Sequence, residues 1–254
     1  MSHKLNDITL YYYPKGEEAK AFTVKQNVVS DLYVTYLDNY KPPKTSRISV
    51  ELSHEDHIRG YFGSILLVNA QFNKLKYWNL NEDEKNLLIL NTIHRISIQC
   101  AKKYGWNIEV FNSAYEKIIE KNFVFEIETL KKTSKDRKNK ASILVEKNEK
   151  IAAISAVFYD KNEEKEKTIK LIDTFQWAGF HIPIIRKFKW FDKEYFGLNL
   201  YYGELVIKAS ILSNEVIIEV NPKQSTKEEI EGYLREITYR EFKTEKDIID
   251  WINY

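Results

Sequence analysis

"LNEDEKNLLILNTIHRISIQCAKKYGW" (residues 80–106) carries the strongest structural signal in the sequence. Asn81 is a natural N-cap, and Glu84 stands three residues later, as in a capping box. Apolar residues then recur at helical spacing, in the order Ile89, Ile93, Ile96 and Cys100. Gly105 suits the left-handed position that ends many helices. The stretch therefore predicts one long central helix over about residues 82–104.

The segments before this helix are rich in aromatic and β-branched residues, which is typical of strands. They cover residues 7–13, 20–25, 28–36, 47–52 and 64–72. The adjacent Pro42 and Pro43 predict a loop over 40–46, because neither can donate to a strand ladder. The first third of the chain is therefore predicted to be mainly β-structure.

The segments after the long helix begin with a shorter one. It is predicted to follow "NIEVF" (107–111), with Asn112 or Ser113 as its cap. From Phe123 the apolar period changes to two, which indicates strands. The predicted strands cover residues 123–130, 141–147, 150–160 and 167–175.

The C-terminal part is predicted to hold a hairpin and then two short helices. The strands 200–212 and 215–220 flank Asn214, and asparagine tolerates the positive φ of a tight turn. The capping-box pairs that mark the two helix starts are Ser225 with Glu228 and Thr244 with Asp247.

Runs of strands and runs of helices, rather than strict alternation, predict an α+β fold. We expect mainly antiparallel β-sheets with one long central helix, a second short helix and two short C-terminal helices. The change of period divides the chain into an N-terminal α+β part (1–122) and a C-terminal antiparallel β-rich part (123–254). No glycine- or proline-rich linker lies between them, which leaves open a single shared core.

The composition of the 254 residues excludes several classes of protein. The single cysteine, Cys100, rules out an intrachain disulfide and a multi-cysteine metal site. A formal charge of +2 lacks the strong basic excess that is typical of proteins that bind nucleic acid or membrane surfaces. No apolar run approaches the roughly 20 residues of a membrane span, and the N-terminus lacks a signal-peptide core. We expect a cytoplasmic, bacterial protein, since the Lys, Ile, Asn and Tyr usage is typical of AT-rich coding.

Phosphate- and cofactor-binding motifs are missing from the sequence. With only 8 glycines, the chain contains no GxGxxG, GxxxxGK[ST] or GxSxG pattern. This argues against the common dinucleotide-binding, NTPase and α/β-hydrolase frameworks. We expect no cofactor.

"SHEDH", starting at Ser53, places two histidines three positions apart with two carboxylates between them. If 54–59 is helical, His54 and His57 share a face and could give two ligands to a divalent metal. Further ligands are missing from the neighbouring sequence. A helix start explains the same residues, with Ser53 as N-cap and Asp56 at the capping-box position. We therefore predict a helix start and no metal site.

Two further sets of residues could carry nucleophilic or acid–base chemistry. Cys100 lies in the apolar stripe, about 120° around the helix from His94, which favours a buried core thiol. Asp173, His181 and Glu204 flank an aromatic segment, but their spacing alone does not bring them together. We predict no catalytic residue in either set.

"KKTSKDRKNK" (131–140) is a basic patch in a predicted hairpin loop. Its cations could reach the phosphates of a nucleic acid. Aromatic residues for base stacking are not interleaved with them, so a solvated loop tip explains the patch better. Nucleic-acid binding therefore ranks third among the functions considered.

Residues 175–202 form the segment most typical of a binding surface, because aromatic rings alternate there with lysine and arginine. These rings could also fill the core. The residues that we single out for binding a partner or ligand are Trp177, Phe180, His181, Trp190 and Phe191.

The sequence favours a non-enzymatic protein that binds another protein. An immunity or antitoxin role is one specific form of this prediction. The alternative is an enzyme or small-ligand binder whose aromatic-lined pocket lies in 175–202, with His181, Asp173 or Glu204 as polar groups.

Overall fold

The computed structural model describes residues 4–13, 16–148, 151–175 and 184–238. The chain divides into two compact units, Met1–Val124 (unit 1) and Phe125–Tyr254 (unit 2). The helices of the described residues are α1 (Glu17–Tyr36), α2 (Lys74–Trp78), α3 (Glu82–Tyr104), α4 (Ile108–Glu120) and α5 (Lys227–Ile237). Together with one mixed and two antiparallel sheets in the described ranges, they confirm the α+β class.

Unit 1 contains a four-stranded sheet. Its strands are β1 (Asp7–Tyr11), β2 (Arg47–Ser53), β3 (His57–Phe62) and β4 (Ile65–Gln71), in the order β1-β2-β4-β3. The pairs β1-β2 and β2-β4 are parallel, and only β3 runs antiparallel to its neighbour. The carboxyl ends of three strands therefore meet at one edge of the sheet, which a purely antiparallel arrangement would not produce.

Alternate residues of these strands are buried against the helices. The buried strand residues include Ile8, Leu10, Ile48, Val50, Leu66 and Val68. Helix α1 contacts β1, α3 contacts β4, and α1, α3 and α4 pack on one another. Unit 1 is thus a sheet with a three-helix layer.

Helix α1 corrects the prediction of strands at 20–25 and 28–36, and the described part of the chain contains two long helices rather than one. Its buried stripe follows helical spacing through Phe22, Val29 and Tyr33. Polar Gln26 and Ser30 lie in the same stripe and interrupt the apolar period. The β-branched residues between them favoured strands, and tertiary contacts overrode that preference.

Helix α3 confirms the prediction over 82–104 and its cap. Asn81 Oδ1 accepts from the backbone N–H of Glu84 at 2.9 Å, and Glu84 Oε2 accepts from the N–H of Asn81 at 3.0 Å. Gly105 ends the helix with φ 69°. Helix α4 begins earlier than predicted, because Asn107, rather than Asn112 or Ser113, accepts from the N–H of its first turn.

Unit 2 contains two antiparallel sheets. The first sheet has the order β5-β7-β8-β9, with β6 paired to β7. Its strands are β5 (Phe125–Glu128), β6 (Lys132–Thr133), β7 (Lys140–Lys147), β8 (Ile151–Tyr159) and β9 (Lys165–Phe175). They confirm that the chain forms strands after Phe123, although most residues of β7 and β8 are buried on both faces.

The second sheet of unit 2 has the order β10-β11-β12-β13. Its strands are β10 (Phe188–Trp190), β11 (Tyr195–Leu200), β12 (Leu205–Ser210) and β13 (Val216–Val220). The predicted hairpin at Asn214 is present, and this residue has φ 63°. The strand predicted over 200–212 is interrupted by a short turn, Tyr201–Gly203.

Helix α5 starts one residue later than predicted, with Thr226 and Glu229 as its capping box. The second C-terminal helix, predicted from Thr244, lies outside the described residues. None of the helices in the described ranges is long and apolar enough to cross a membrane.

Candidate functional site

The "SHEDH" segment is a turn and not a helix start, so the helix predicted at 54–59 is wrong. Ser53 Oγ accepts from the N–H of Glu55 at 3.2 Å and donates to its carbonyl at 2.8 Å. The Asp56 carboxylate accepts from the N–H of Gln71 at 2.7 Å and pairs with Arg95 at 3.2 Å. Asp56 thereby fixes the turn to β4 and α3.

The histidines do not form a shared site. His57 lies on β3 opposite Asn69, while His54 remains in the turn. Within the described ranges there is no group of three or more His, Cys, Asp and Glu side chains that could hold a metal ion. His94 Nδ1 lies 3.0 Å from the hydroxyl of Tyr33.

Cys100 is a buried free thiol, as predicted. Burial raises its pKa to about 12. A thiol that stays protonated at neutral pH is a poor nucleophile. Its position gives no support to a Cys–His catalytic pair.

A pocket of about 420 Å³ opens at the edge of unit 1 where β2 and β4 end. We call it the strand-end pocket. It is lined by Leu52, Ser53, His54, Gln71, Phe72, Asn73, Lys74 and Leu75. The backbone N–H of Phe72 donates to the carbonyl of Ser53 at 3.0 Å, which holds the two strand ends together.

Lys74 is the cation of the strand-end pocket. Its ammonium group donates to the carbonyl of Tyr13 and lies 4.8 Å from the centre of the Tyr12 ring. Among the described residues, no carboxylate pairs with it and none lines the pocket. Within the described ranges, the contacts of the Lys74 ammonium group are therefore with a carbonyl and a ring face.

The basic segment 131–140 forms the predicted hairpin, through pairing of β6 with β7. Lys131 lies 3.4 Å from Glu163, and Lys140 pairs with the same carboxylate. The Lys132 ammonium lies 4.0 Å from the centre of the Phe188 ring and donates to the Phe188 carbonyl at 2.6 Å. Three of the cations proposed to contact phosphates thus have partners within unit 2.

The predicted binding residues fall into two groups. Trp190 is only 7% exposed, donates to the carbonyl of Lys132 at 2.9 Å, and packs 5.2 Å from the Phe196 ring. Phe191 is half-buried, with the Lys189 ammonium 4.9 Å from its ring centre. The three other residues, Trp177, Phe180 and His181, lie outside the described residues.

The turn Tyr201–Gly203, which we call the tyrosine turn, has an unusual backbone. Tyr201, Tyr202 and Gly203 have φ angles of 44°, 56° and 87°. Left-handed conformation costs a residue with a side chain about 1–2 kcal/mol. Tyr202 is nevertheless 92% exposed, so its ring does little packing that could offset this cost.

A groove of about 540 Å³ lies beside the tyrosine turn. Its lining consists of Lys187, Asn199, Leu200, Tyr201, Tyr202, Gly203 and Tyr233. The rings of Tyr201 and Tyr233 pack with centres 4.9 Å apart, which links the turn to α5. The groove thus has aromatic walls and a lysine at its margin.

Glu204 holds the tyrosine turn in place. Its carboxylate is 1% exposed and accepts from the N–H groups of Lys223 at 3.2 Å and Gln224 at 2.6 Å. The N–H of Gln224 is the main cause that lowers the pKa of Glu204. Asp173 has a different partner, Lys170, at 2.9 Å. The two carboxylates of the suggested acid–base set therefore have separate structural roles.

The sequence did not predict the strand-end pocket. The groove beside the tyrosine turn takes Lys187, Asn199, Leu200, Tyr201 and Tyr202 from the predicted segment 175–202, but its described lining contains none of the residues singled out there. The tyrosine turn lies inside a predicted strand, and only the glycine after two tyrosines signalled a break there. The strand-end pocket depends on parallel pairing of β2 with β4, which the period of the sequence does not reveal. No protein-family model, curated protein or solved structure matches the chain, so its function is argued from these sites alone.

Proposed function

We propose that the chain is a non-enzymatic binding protein that holds another protein at the tyrosine turn. The observation that carries this proposal is the left-handed run through Tyr201 and Tyr202, with the second ring almost fully exposed. Backbone strain of this kind concentrates at functional sites, where the surrounding structure maintains it. Glu204 supplies that support here, because its N–H donates to the carbonyl of Tyr201 at 3.0 Å and its carboxylate accepts from the N–H groups of Lys223 and Gln224.

A protein partner suits the chemistry of the surface. Exposed tyrosine is enriched among residues that dominate binding energy, and the partner usually receives it in a desolvated pocket. Lys187 at the margin of the groove is exposed and positively charged. We expect the partner to receive the ring of Tyr202 and to place an acidic side chain near Lys187. Phe191 and the predicted residues outside the described ranges extend this proposal and remain predictions.

An immunity or antitoxin role is the specific form of this proposal in which the partner is a toxin. The second candidate function is a small-ligand site in the same groove, because its volume lies within the range of roughly 300–1,000 Å³ usual for such sites. Glu204 is committed to the backbone N–H groups of Lys223 and Gln224, which weakens an acid–base role there.

The test compares tagged full-length variants in partner capture, followed by native mass spectrometry. We expect a stoichiometric protein complex with the wild type that is lost with Tyr202→Ser. Leu212→Ser is the matched control, since Leu212 is 75% exposed on another turn of unit 2. This control should retain the same partner.

Tyr202→Gly separates binding from stability. Glycine adopts positive φ at no steric cost, so this variant should gain about 1 kcal/mol in the free energy of unfolding. It should still lose the partner. Urea unfolding followed by circular dichroism measures the first effect, with Tyr202→Ala as the variant that keeps the strain.

Three outcomes would contradict the proposal. The first is a complex that survives Tyr202→Ser unchanged. The second is a retained small molecule in place of a protein, which supports the second candidate. The third is a Tyr202→Gly variant less stable than Tyr202→Ala, which would mean that the left-handed turn stores no strain.

A further inference from the structure

The strand-end pocket lies at the position where open parallel sheets bind their ligands. Ligands of such sheets occupy the crevice outside the carboxyl ends of the strands. In unit 1, β1 ends at Tyr11, β2 at Ser53 and β4 at Gln71, and the parallel pairing brings these ends to one edge. The pocket is formed by the last two of these ends and the residues that follow them.

Several polar side chains of this pocket have hydrogen-bond donors with unused capacity. Within the part of the chain that the structure describes, no hydrogen bond or ion pair involves the imidazole of His54 or the carboxamide of Gln71. The ammonium group of Lys74 uses one of its three donors on the carbonyl of Tyr13. An anionic group placed between these side chains would receive several charge-assisted hydrogen bonds.

Three of the residues that line the pocket are apolar. Leu52 and Phe72 are buried, with exposed fractions of 6% and 7%, whereas Leu75 is 82% exposed at the mouth of the pocket. An exposed leucine next to a cation offers contact area to an apolar body attached to the anion. The volume of about 420 Å³ lies within the range of roughly 300–1,000 Å³ that is usual for small-molecule sites.

We propose that the strand-end pocket binds a small organic anion, with its carboxylate or phosphate on Lys74 and His54 and its apolar body against Phe72 and Leu75. Gln71 donates a further hydrogen bond through its carboxamide. This site belongs to unit 1 and does not depend on the proposed role of the tyrosine turn.

The test uses the full-length protein and three probes, benzoate, phenyl phosphate and benzamide. Saturation-transfer difference NMR reports which of them contacts the protein, and titration gives the dissociation constant. Benzoate and phenyl phosphate carry the two candidate head groups on the same ring. Benzamide has the ring without the charge, and we expect it to bind at least about tenfold more weakly than the better anion.

Lys74→Met removes the charge while keeping an unbranched side chain over the Tyr12 ring. We expect it to weaken the better anion about tenfold and to leave benzamide unchanged. His54→Ala, at an exposed position, should weaken the anion to a smaller extent. Lys76→Met is the matched control on α2, because Lys76 does not line the pocket.

The inference is overturned if neither anion binds at millimolar concentration, or if benzamide binds as well as both anions. It is also overturned if Lys76→Met weakens the anion as much as Lys74→Met. Thermal unfolding of each variant is measured alongside, and equal melting temperatures show that a loss of binding is local. If Lys74→Met proves unstable, His54→Ala alone decides, and unchanged binding in that variant rejects the site.

Discussion

His94 lies at the junction of three helices of unit 1. Its Nδ1 is 3.0 Å from the hydroxyl of Tyr33 on α1, and its ring centre is 4.6 Å from that of Tyr115 on α4. Burial lowers the pKa of His94 below its usual value. The folded protein therefore prefers the neutral imidazole, whereas the unfolded chain takes up a proton near pH 6.5.

This preference predicts a pH-dependent stability. Below about pH 6.5 the unfolded state binds more protons at His94 than the folded state, so the free energy of unfolding falls as pH decreases toward the folded pKa. His94→Gln keeps a hydrogen-bonding group near Tyr33 but cannot titrate. We expect its stability, measured by urea unfolding from pH 8 to pH 5, to decline less steeply than that of the wild type.

His57→Gln is the control for this experiment, because it makes the same substitution at an exposed histidine on β3. The role given to His94 is wrong if His94→Gln and the wild type lose stability in parallel between pH 7 and pH 5.

Ser53 shows why the turn at "SHEDH" was mistaken for a helix start. A serine hydroxyl accepts a backbone N–H two or three residues on in both a helix cap and a serine turn. The local sequence is compatible with either structure. The choice is made by Asp56, whose partners Gln71 and Arg95 lie far along the chain. Contacts between residues that are far apart in the sequence cannot be predicted from the neighbouring residues alone.

Strand β1 is an edge strand of the sheet in unit 1, and α1 covers its free side. The carboxamide oxygen of Gln26 accepts from the N–H of Leu10 at 3.2 Å, and the hydroxyl of Ser30 donates to the carbonyl of Ile8. Unpaired edge groups can template pairing with another chain. The side chains of Gln26 and Ser30 therefore provide hydrogen-bond partners for two backbone groups of the β1 edge from within unit 1.

Gln26→Leu is therefore expected to destabilise the protein by about 1–3 kcal/mol, because it leaves the buried N–H of Leu10 without its acceptor. Hydrogen exchange of the Leu10 amide should accelerate beyond the change in global stability. Thr23→Leu is the control, as Thr23 is exposed on the same helix and should shift stability by less than about 0.5 kcal/mol. Equal effects of the two substitutions would contradict the edge role of Gln26.

The same contact explains why α1 was missed while α3 was predicted. In α3 six of the eight buried residues are apolar, and Thr92 and Ser97 do not interrupt the helical spacing of the others, so the period of 3.6 can be recognised in the sequence. In α1 the stripe contains Gln26 and Ser30, which are buried because they bond to β1. A polar residue whose partner is a distant strand cannot be recognised as a core residue from periodicity alone.

At the scale of the molecule, the sequence predicted strand pairs that are close together in the chain and did not predict pairs that are far apart in it. Strands β7, β8 and β9 were predicted because they follow one another closely in the sequence and pair in that order, whereas β11 was not predicted. In the sheet of unit 1, β2 pairs with β4, although β3 lies between them in the sequence. Likewise β1 pairs with β2, although helix α1 lies between them in the sequence. The strand-end pocket arises from that pairing, and for this reason no single sequence motif predicts it.

The division into Met1–Val124 and Phe125–Tyr254 predicts two units that unfold separately. Ile96 and Ile154 are both fully buried, one in each unit. Replacing either by alanine should cost about 2–5 kcal/mol. We expect Ile96→Ala to speed hydrogen exchange, followed by mass spectrometry in low urea, only in peptides of the first unit, and Ile154→Ala only in the second. Each variant controls for the other, and faster exchange throughout the chain with either one would instead establish a single cooperative core.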